Sequence, residues 1–111
     1  KKDIYLIIIK NIFEKFKYLY NIKMLKKIVT EFVGTFIFLS VILATGDPFA
    51  IGLSLAVAIY FGIKVSGGHF NPAVSIMMYF KKAINDKELA CYIISQVLGG
   101  IVALNFFKMK N

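Results

Sequence analysis

The sequence of 111 residues contains no arginine, and it has one cysteine, one histidine and six acidic residues. The lone cysteine, Cys91, can form neither an internal disulfide nor a CxxC metal site. Nucleic-acid-binding surfaces usually present arginine beside clustered lysine, so the missing arginine disfavours that class despite a net charge of +8. No nucleophile–base pair and no metal-ligand spacing is visible among so few candidate side chains. We therefore expect neither an enzyme nor a bound metal or cofactor.

Apolar residues, by contrast, make up 59% of the chain, well above the roughly half that is typical of a soluble domain. Two runs, at residues 28–45 and 89–107, approach the roughly twenty residues that a membrane-spanning helix needs. A third run, at residues 49–64, is short for a span but can recruit flanking residues. No alternation typical of β-strands competes with these runs. The sequence predicts an all-α membrane protein with three transmembrane helices.

Between the second and third spans, residues 66–80 read SGGHFNPAVSIMMYF. Asparagine is favoured at a helix N-cap and proline at the first helical position, so a helix is predicted to start at Asn71 and Pro72. A helix over residues 71–80 would rise roughly 15 Å, about half the hydrocarbon thickness of a bilayer. Its glycine-containing lead-in is tolerated at membrane depth only where protein or a water-filled cavity satisfies the backbone. We predict a re-entrant half-helix, and a helix lying on the membrane surface is the alternative.

The lysines are distributed unevenly about the predicted spans. Twelve of the fourteen lie before the first span or between the second and third, and only Lys108 and Lys110 follow the third. Loops rich in lysine stay on the cytoplasmic side of a membrane. The distribution predicts a cytoplasmic N-terminus and a half-helix that enters the lipid bilayer from the cytoplasm. We expect a multi-pass protein of the plasma or cytoplasmic membrane.

The start of the half-helix suggests a chemistry for the site. The side-chain oxygen of Asn71 is expected to accept a hydrogen bond from the backbone N–H of Val74, which leaves its NH₂ group as a donor. The positive end of the half-helix lies beside it and disfavours cations. Gly67 and Gly68 allow carbonyl oxygens to face a cavity as acceptors. This combination favours a pore for small neutral polar molecules, and the lack of a ring of acids disfavours an ion channel.

Three segments carry a resemblance to a known family: SGGHFNPAV at residues 66–74, TEFVGTF at residues 30–36 and YIISQVLGG at residues 92–100. In their order and spacing they resemble the first half of the aquaporin and glycerol-facilitator family, the major intrinsic proteins, over about residues 25–107. The resemblance implies a passive channel for water or small neutral solutes such as glycerol, which excludes protons and ions. It implies two inverted halves, each with three spans and an Asn-Pro-Ala half-helix, and tetramers with a pore in every protomer.

The resemblance also assigns roles to individual residues. Asn71, Pro72 and Ala73 match the pore motif. The residues whose carbonyl groups line the cytoplasmic half-channel are matched by Gly67, Gly68 and His69.

Four side chains have further interpretations. Glu31 and Gln96 match buried polar residues that support the re-entrant loop, and an acid inside a span normally needs such partners. A snorkelling Glu31 near the cytoplasmic end of the span is the alternative. For His69, a hydrogen-bonded structural imidazole is favoured over a pH gate. Ile51 matches the second-span position of the selectivity constriction, where an aliphatic side chain indicates neither water selection nor glycerol selection.

Only one of the two inverted halves is present, because six spans of about twenty residues would need roughly 120 residues. The chain is interpreted as a fragment of a longer product, as a half that pairs with a separate second half, or as an antiparallel dimer. The lysine asymmetry disfavours the antiparallel dimer. The alternative function is an incomplete, non-conducting half-channel that acts only with a second half or as an interaction partner.

The predicted channel half covers residues 24–111, and residues 1–23 form a leader that raises a separate question. The leader uses few residue types, and position 1 is not methionine. One hypothesis takes Met24 as the natural start and the leader as a translated upstream stretch. The other takes the leader as an interfacial helix, because its charged residues fall on the face opposite Ile9 and Phe13.

Overall fold

The computed structural model describes residues 2–111, which form four α-helices and no β-strand. In chain order these helices are α1 (Lys2–Ala44), α2 (Pro48–Ser66), α3 (Pro72–Phe80) and α4 (Asp86–Lys110). Three of them, α1, α2 and α4, are long and apolar enough to cross a membrane. The predicted all-α membrane fold, with three spans and one short helix between the second and third, is confirmed.

The first helix is much longer than the predicted first span. α1 contains 43 residues, which corresponds to a length of about 65 Å. Residues 28–45 cover only its final part, so the leader continues into the span without a break. The physical reason is that residues 2–33 contain neither proline nor glycine, the two residues that most strongly interrupt a helix.

Polar contacts tie the start of α4 to α1. Asn85 and Glu88 form a capping box, in which Asn85 Oδ1 accepts from the Glu88 backbone N–H at 2.8 Å. The Oε2 atom of Glu88 accepts a hydrogen bond from Lys27 Nζ at 2.7 Å. One side chain therefore caps α4 and joins it to α1 at the same end of the bundle.

Small residues allow α1 and α4 to pack closely. A Cβ atom added to Gly99 would lie 2.8 Å from the Phe32 carbonyl oxygen, and one added to Gly100 would lie 2.9 Å from Leu39 Cδ1. Ala103 on the same face of α4 is buried. Small residues at helix contacts are typical of membrane proteins, where packing rather than water exclusion joins the helices.

The short helix α3 begins deep in the helix bundle and runs back toward the end of the bundle at which α2 ends and the loop begins. It has nine residues, about 14 Å in length, which is too short to cross a membrane. The segment that follows it, at Ala83 and Ile84, lines one pocket with Lys27 of α1 and Lys64 of α2. The loop and α3 together therefore form a re-entrant element.

Candidate functional site

A buried carboxyl group lies beneath the loop between α2 and α3. Glu31 of α1 has no exposed surface. Its Oε2 atom accepts hydrogen bonds from Ser66 Oγ at 2.7 Å and from the His69 backbone N–H at 3.1 Å. Its Oε1 atom accepts from the Phe70 backbone N–H and from Gln96 Nε2, both at 2.8 Å. These four donors fill the acceptor capacity of a carboxylate. A snorkelling Glu31 would need an exposed carboxyl group, whereas this one is buried.

Further polar side chains connect the loop to α3 and α4. Ser75 of α3 is completely buried, and its Oγ atom lies 2.8 Å from His69 Nδ1. The same Oγ atom accepts from Gln96 Nε2 at 2.9 Å. The Tyr92 hydroxyl of α4 donates to the Ser66 carbonyl oxygen at 2.6 Å. The loop is thus hydrogen-bonded to α1, α3 and α4, and His69 is buried inside this network.

The loop backbone makes a tight turn whose aromatic side chain fits between two helices. Gly67 and Gly68 have φ values of 90° and 63°, a region that glycine adopts without steric cost. Phe70 also has a positive φ, of 54°, yet its ring is buried. A Cβ atom on Gly34 of α1 would lie 2.1 Å from Phe70 Cε1, and one on Gly62 of α2 would lie 2.7 Å from Phe70 Cζ. Both glycines therefore leave the space in which the Phe70 ring lies.

Asn71 is the N-cap of α3, but with a different partner from the one predicted. Its Oδ1 atom accepts from the Ala73 backbone N–H at 2.8 Å, so the predicted bond from Val74 is wrong. Pro72 has no N–H, which makes Ala73 the first backbone donor that the helix offers. The Asn71 side chain is exposed, and its NH₂ group donates to no atom of residues 2–111. The cap fixes the amide and leaves its donors free.

The start of α3 lies at about the middle of the spanning part of α1. Asn71 and Pro72 line a groove of about 460 Å³ with Thr35, Phe38 and Leu39. These α1 residues lie roughly 10–17 Å along the helix from residue 28, where the predicted span begins. The hydrocarbon core of a bilayer is about 30 Å thick. The half-helix start and its free amide group therefore lie level with the middle of the predicted first span.

The remaining predicted residues fall into two groups. The carbonyl oxygens of Gly67, Gly68 and His69 accept no hydrogen bond from within residues 2–111, so they are free to bind another donor. Ile51 lies in the first turn of α2 and is half-buried. It is about 24 Å along α2 from Gly67, so the structure does not bring it to the loop.

Several residues of the network were not predicted. Ser66, Ser75 and Tyr92 all contribute side chains to it. A signal was present for Tyr92, because it precedes Gln96 by four residues and thus shares a face of α4 with it. Ser75 likewise follows the N-cap Asn71 by four residues, inside an otherwise apolar helix.

Comparisons with known proteins point to one family. The sequence profile described as "Major intrinsic protein" matches residues 44–110. The chain is 43% identical over 88 residues to "Glycerol uptake facilitator protein-like 6" of Lactiplantibacillus plantarum, a match that covers 71% of this chain and 41% of that protein. It is 39% identical over 95 residues to "Aquaporin Z" of Photorhabdus laumondii, with 72% of this chain and 41% of that protein covered. It is 42% identical over 96 residues to "Aquaporin Z" of Brucella melitensis, with 72% and 42% covered.

The chain spans about two fifths of the length of these relatives and corresponds to their N-terminal half. The resemblance inferred from the sequence is confirmed. With three apolar helices of spanning length, this is a multi-pass integral membrane protein. The profile match covers more than half of the chain, and the chain belongs to the major intrinsic protein family.

Proposed function

We propose that the chain forms the first half of a passive membrane channel for water or small neutral solutes such as glycerol. The observation that carries this proposal is the side-chain amide of Asn71, which is exposed and donates to no atom of residues 2–111. We place it near mid-depth, because the start of α3 lies beside Thr35, Phe38 and Leu39 in the middle of the predicted first span. The relatives named aquaporin Z and glycerol uptake facilitator protein-like 6 support the same class of solutes.

The donors of Asn71 orient a passing molecule. A water or hydroxyl oxygen accepts a hydrogen bond from the Asn71 NH₂ group, so its own hydrogens point away from the start of α3. The N-terminus of α3 adds a partial positive charge of about half a unit at the same place. A cation or an excess proton is repelled there, whereas a neutral molecule is not. Pro72 and Ala73 form the first helical turn and hold the Asn71 amide in place.

The free carbonyl groups of the loop complement these donors. Gly67, Gly68 and His69 offer acceptors to the O–H groups of the solute on the lysine-rich side, which we propose to be cytoplasmic. Each such bond replaces one that the solute loses on leaving water. Ile51 is the proposed constriction residue of the second span. Its aliphatic side chain would limit the width of the pore without forming a hydrogen bond to the solute. Such a side chain is compatible with the passage of water or of glycerol.

Glu31 and Gln96 are proposed as positioning residues that do not touch the solute. Both are buried; Glu31 accepts hydrogen bonds from the loop, and Gln96 donates to Glu31 and to Ser75 of α3. A hydrogen bond to a charged group stabilises by about 1.5–3 kcal/mol. The four bonds to Glu31 therefore hold the acceptor carbonyls and the Asn71 donor in one fixed arrangement.

A second candidate function is a non-conducting half-channel that acts only with a second half or as an interaction partner. The observation that favours it is a second groove, of about 400 Å³, between α1 and α2, which is open on this chain and lined by Phe61 and Phe70 among others. A second half-channel would cover both grooves. For the completed channel we propose homotetramers in the plasma or cytoplasmic membrane, with the N-terminus in the cytoplasm.

Stopped-flow light scattering of proteoliposomes tests these functions. The chain is reconstituted alone and together with the C-terminal half of the Photorhabdus aquaporin Z, and osmotic water entry is compared with glycerol entry. The test variant is Asn71→Asp, which keeps the capping oxygen but replaces the free donor group. The matched control is Asn85→Asp, because Asn85 is also a helix N-cap but lies at the start of α4.

Each outcome separates the two candidates. Permeability above that of empty vesicles, lost in Asn71→Asp and kept in Asn85→Asp, supports the conducting channel. If it appears only with the second half present, the chain contributes to a conducting channel but does not conduct by itself, as the second candidate states. Permeability that is equal in all samples, with both halves inserted, would contradict the proposed channel.

A further inference from the structure

The first part of α1 packs against no other helix of the described chain, although Lys87 lies over the ring of Tyr20. Every residue from 2 to 20 is exposed, whereas Ile22 is half-buried and Met24 is only 7% exposed. Packing of α1 against the other helices therefore begins at about Ile22. The segment before it belongs to the same continuous helix as the span, but no other helix of the described chain covers it.

This exposed segment, residues 2–20, has one apolar face without charge, and Ile4, Ile7 and Tyr18 are further apolar residues outside that face. Nine large apolar residues fall within a sector of roughly 160° at 3.6 residues per turn, and no charged residue between positions 5 and 20 lies in that sector. Their side chains are between 43% and 69% exposed. An apolar stripe of this width normally faces a partner. The nine residues, here named the apolar sector, are Tyr5, Leu6, Ile8, Ile9, Ile12, Phe13, Phe16, Leu19 and Tyr20.

The charge of the segment indicates what that partner is. Residues 2–23 carry five lysines and only two acids, Asp3 and Glu14. The one ion pair within residues 2–111 joins Lys27 to Glu88, so these five lysines are not neutralised by ion pairs. Lys15 and Lys17 lie at the two edges of the apolar sector, from which lysine stems reach toward headgroups. A second copy would bring like charges together, whereas anionic headgroups would neutralise them.

We propose that residues 2–20 form an interfacial helix that binds the surface of a bilayer containing anionic lipids. The surface is the one on the side of the Lys27–Glu88 ion pair. The apolar sector inserts among the upper acyl chains, and the lysines contact the headgroups. This role adds an attachment to the membrane that the proposed channel function does not require.

The proposal has a geometric consequence for α1. A straight helix would carry residues 2–27 about 39 Å beyond the span and hold the apolar sector in water. The sector lies on the side of α1 that faces α4, where Lys87 Nζ is 5.4 Å from the centre of the Tyr20 ring. Reaching the bilayer therefore requires the helix to open and turn between Asn21 and Lys23. The opening then falls where packing of α1 against the other helices begins, so it leaves the packed part of α1 in place.

The strength of the attachment follows from the lysines. Each lysine near an anionic surface contributes about a fivefold factor to the equilibrium. Replacing Lys10 and Lys17 with glutamine should therefore lower the ratio of surface-bound to projecting helix by about 25-fold. Neither lysine touches α2, α3 or α4, so the fold of the channel half should be unchanged.

Spin labels on the full chain test the proposal. Cys91→Ser removes the only cysteine, and Phe13→Cys or Glu14→Cys then places one label on the apolar sector or on the opposite face. The protein is reconstituted in phosphatidylcholine vesicles with and without phosphatidylglycerol. Collision of each label with oxygen and with a water-soluble nickel complex is measured, because oxygen concentrates in acyl chains and the complex in water.

In the anionic vesicles, the label at position 13 should collide more often with oxygen than with the nickel complex. The label at position 14 should collide more often with the nickel complex than with oxygen. The difference should shrink in neutral vesicles and in the Lys10→Gln, Lys17→Gln variant. Equal access of nickel to both labels would show a projecting helix and overturn the proposal. Spin–spin broadening at position 13 that disappears on dilution with unlabelled protein would show pairing with a second copy, which also overturns it.

Discussion

Replacing Glu31 with glutamine tests how the re-entrant loop is held. The substitution keeps the size of the side chain but turns one acceptor oxygen into an NH₂ donor. In one orientation the NH₂ group faces the His69 backbone N–H, and in the other it faces the Phe70 backbone N–H. One buried backbone donor therefore loses its acceptor whichever way the new amide lies.

The size of the effect can be worked out from these contacts. A buried donor without a partner costs about 1–3 kcal/mol, and the bonds that survive lose the extra strength of a charged acceptor. Gln96 can recover part of this by turning its amide, because its Oε1 atom has no partner within residues 2–111. We expect local opening of the loop to become easier by about 2–5 kcal/mol. The open population should rise roughly 30-fold to a few thousand-fold.

Hydrogen exchange of backbone amides in lipid nanodiscs measures this opening directly. The amides of His69 and Phe70 should exchange faster in Glu31→Gln, while those in the middle of α4 keep their protection. Glu14→Gln is the matched control, because Glu14 is an exposed acid on the same helix. Unchanged exchange at His69 and Phe70 in the Glu31 variant would refute the reasoning that the carboxylate holds the loop.

Three further predictions concern packing, backbone geometry and the ion pair. Gly34→Ala should destabilise the fold by about 1–3 kcal/mol, because the new Cβ atom would lie 2.1 Å from the Phe70 ring, whereas Gly52→Ala meets nothing within 4 Å. Thermal unfolding in detergent compares the two, and equal midpoints would contradict this packing. Gly67→Ala should cost about 1–2 kcal/mol by the same assay, since its φ is 90°; no loss would mean that this φ is not required. Glu88→Gln removes the ion pair with Lys27. The side chain of Glu88 is 13% exposed and that of Lys27 is 33% exposed. The loss should be about 1 kcal/mol or less and should shrink in high salt, so a loss that does not depend on salt would argue against the ion pair.

Much of the architecture was predictable because membrane burial leaves few choices. An apolar run of spanning length must be a helix, and an Asn-Pro pair followed by only eight mainly apolar residues marks a helix start that cannot span. The start of α3 at Pro72 and the absence of strands within residues 2–111 followed from these rules. The length of α1 was not predicted. Charges at Lys10, Glu14 and Lys17 make the leader differ in composition from the span, but they do not interrupt the helix.

The hydrogen-bond network was only partly predictable. Glu31 and Gln96 stand out in a sequence because polar groups inside spans need partners. Which partners they find depends on the rotation of α1, α3 and α4 about their axes, and spacing along the chain does not specify that. The contact of Tyr92 with Ser66 joins residues 26 positions apart. The place of Phe70 depends on two glycines from different helices.

The depth of α3 in a bilayer distinguishes a re-entrant half-helix from a helix that lies on the membrane surface. In a Cys91→Ser background, single spin labels at Ala73, Met77 and Lys81 occupy exposed positions along α3 and its C-cap. Relaxation by a gadolinium chelate anchored in the headgroups reports the depth of each label. We expect Ala73 to lie near the bilayer centre and each step of four residues toward Lys81 to be about 6 Å shallower. Three labels at the same depth near the headgroups would instead show a helix lying on the membrane surface and would contradict the re-entrant half-helix.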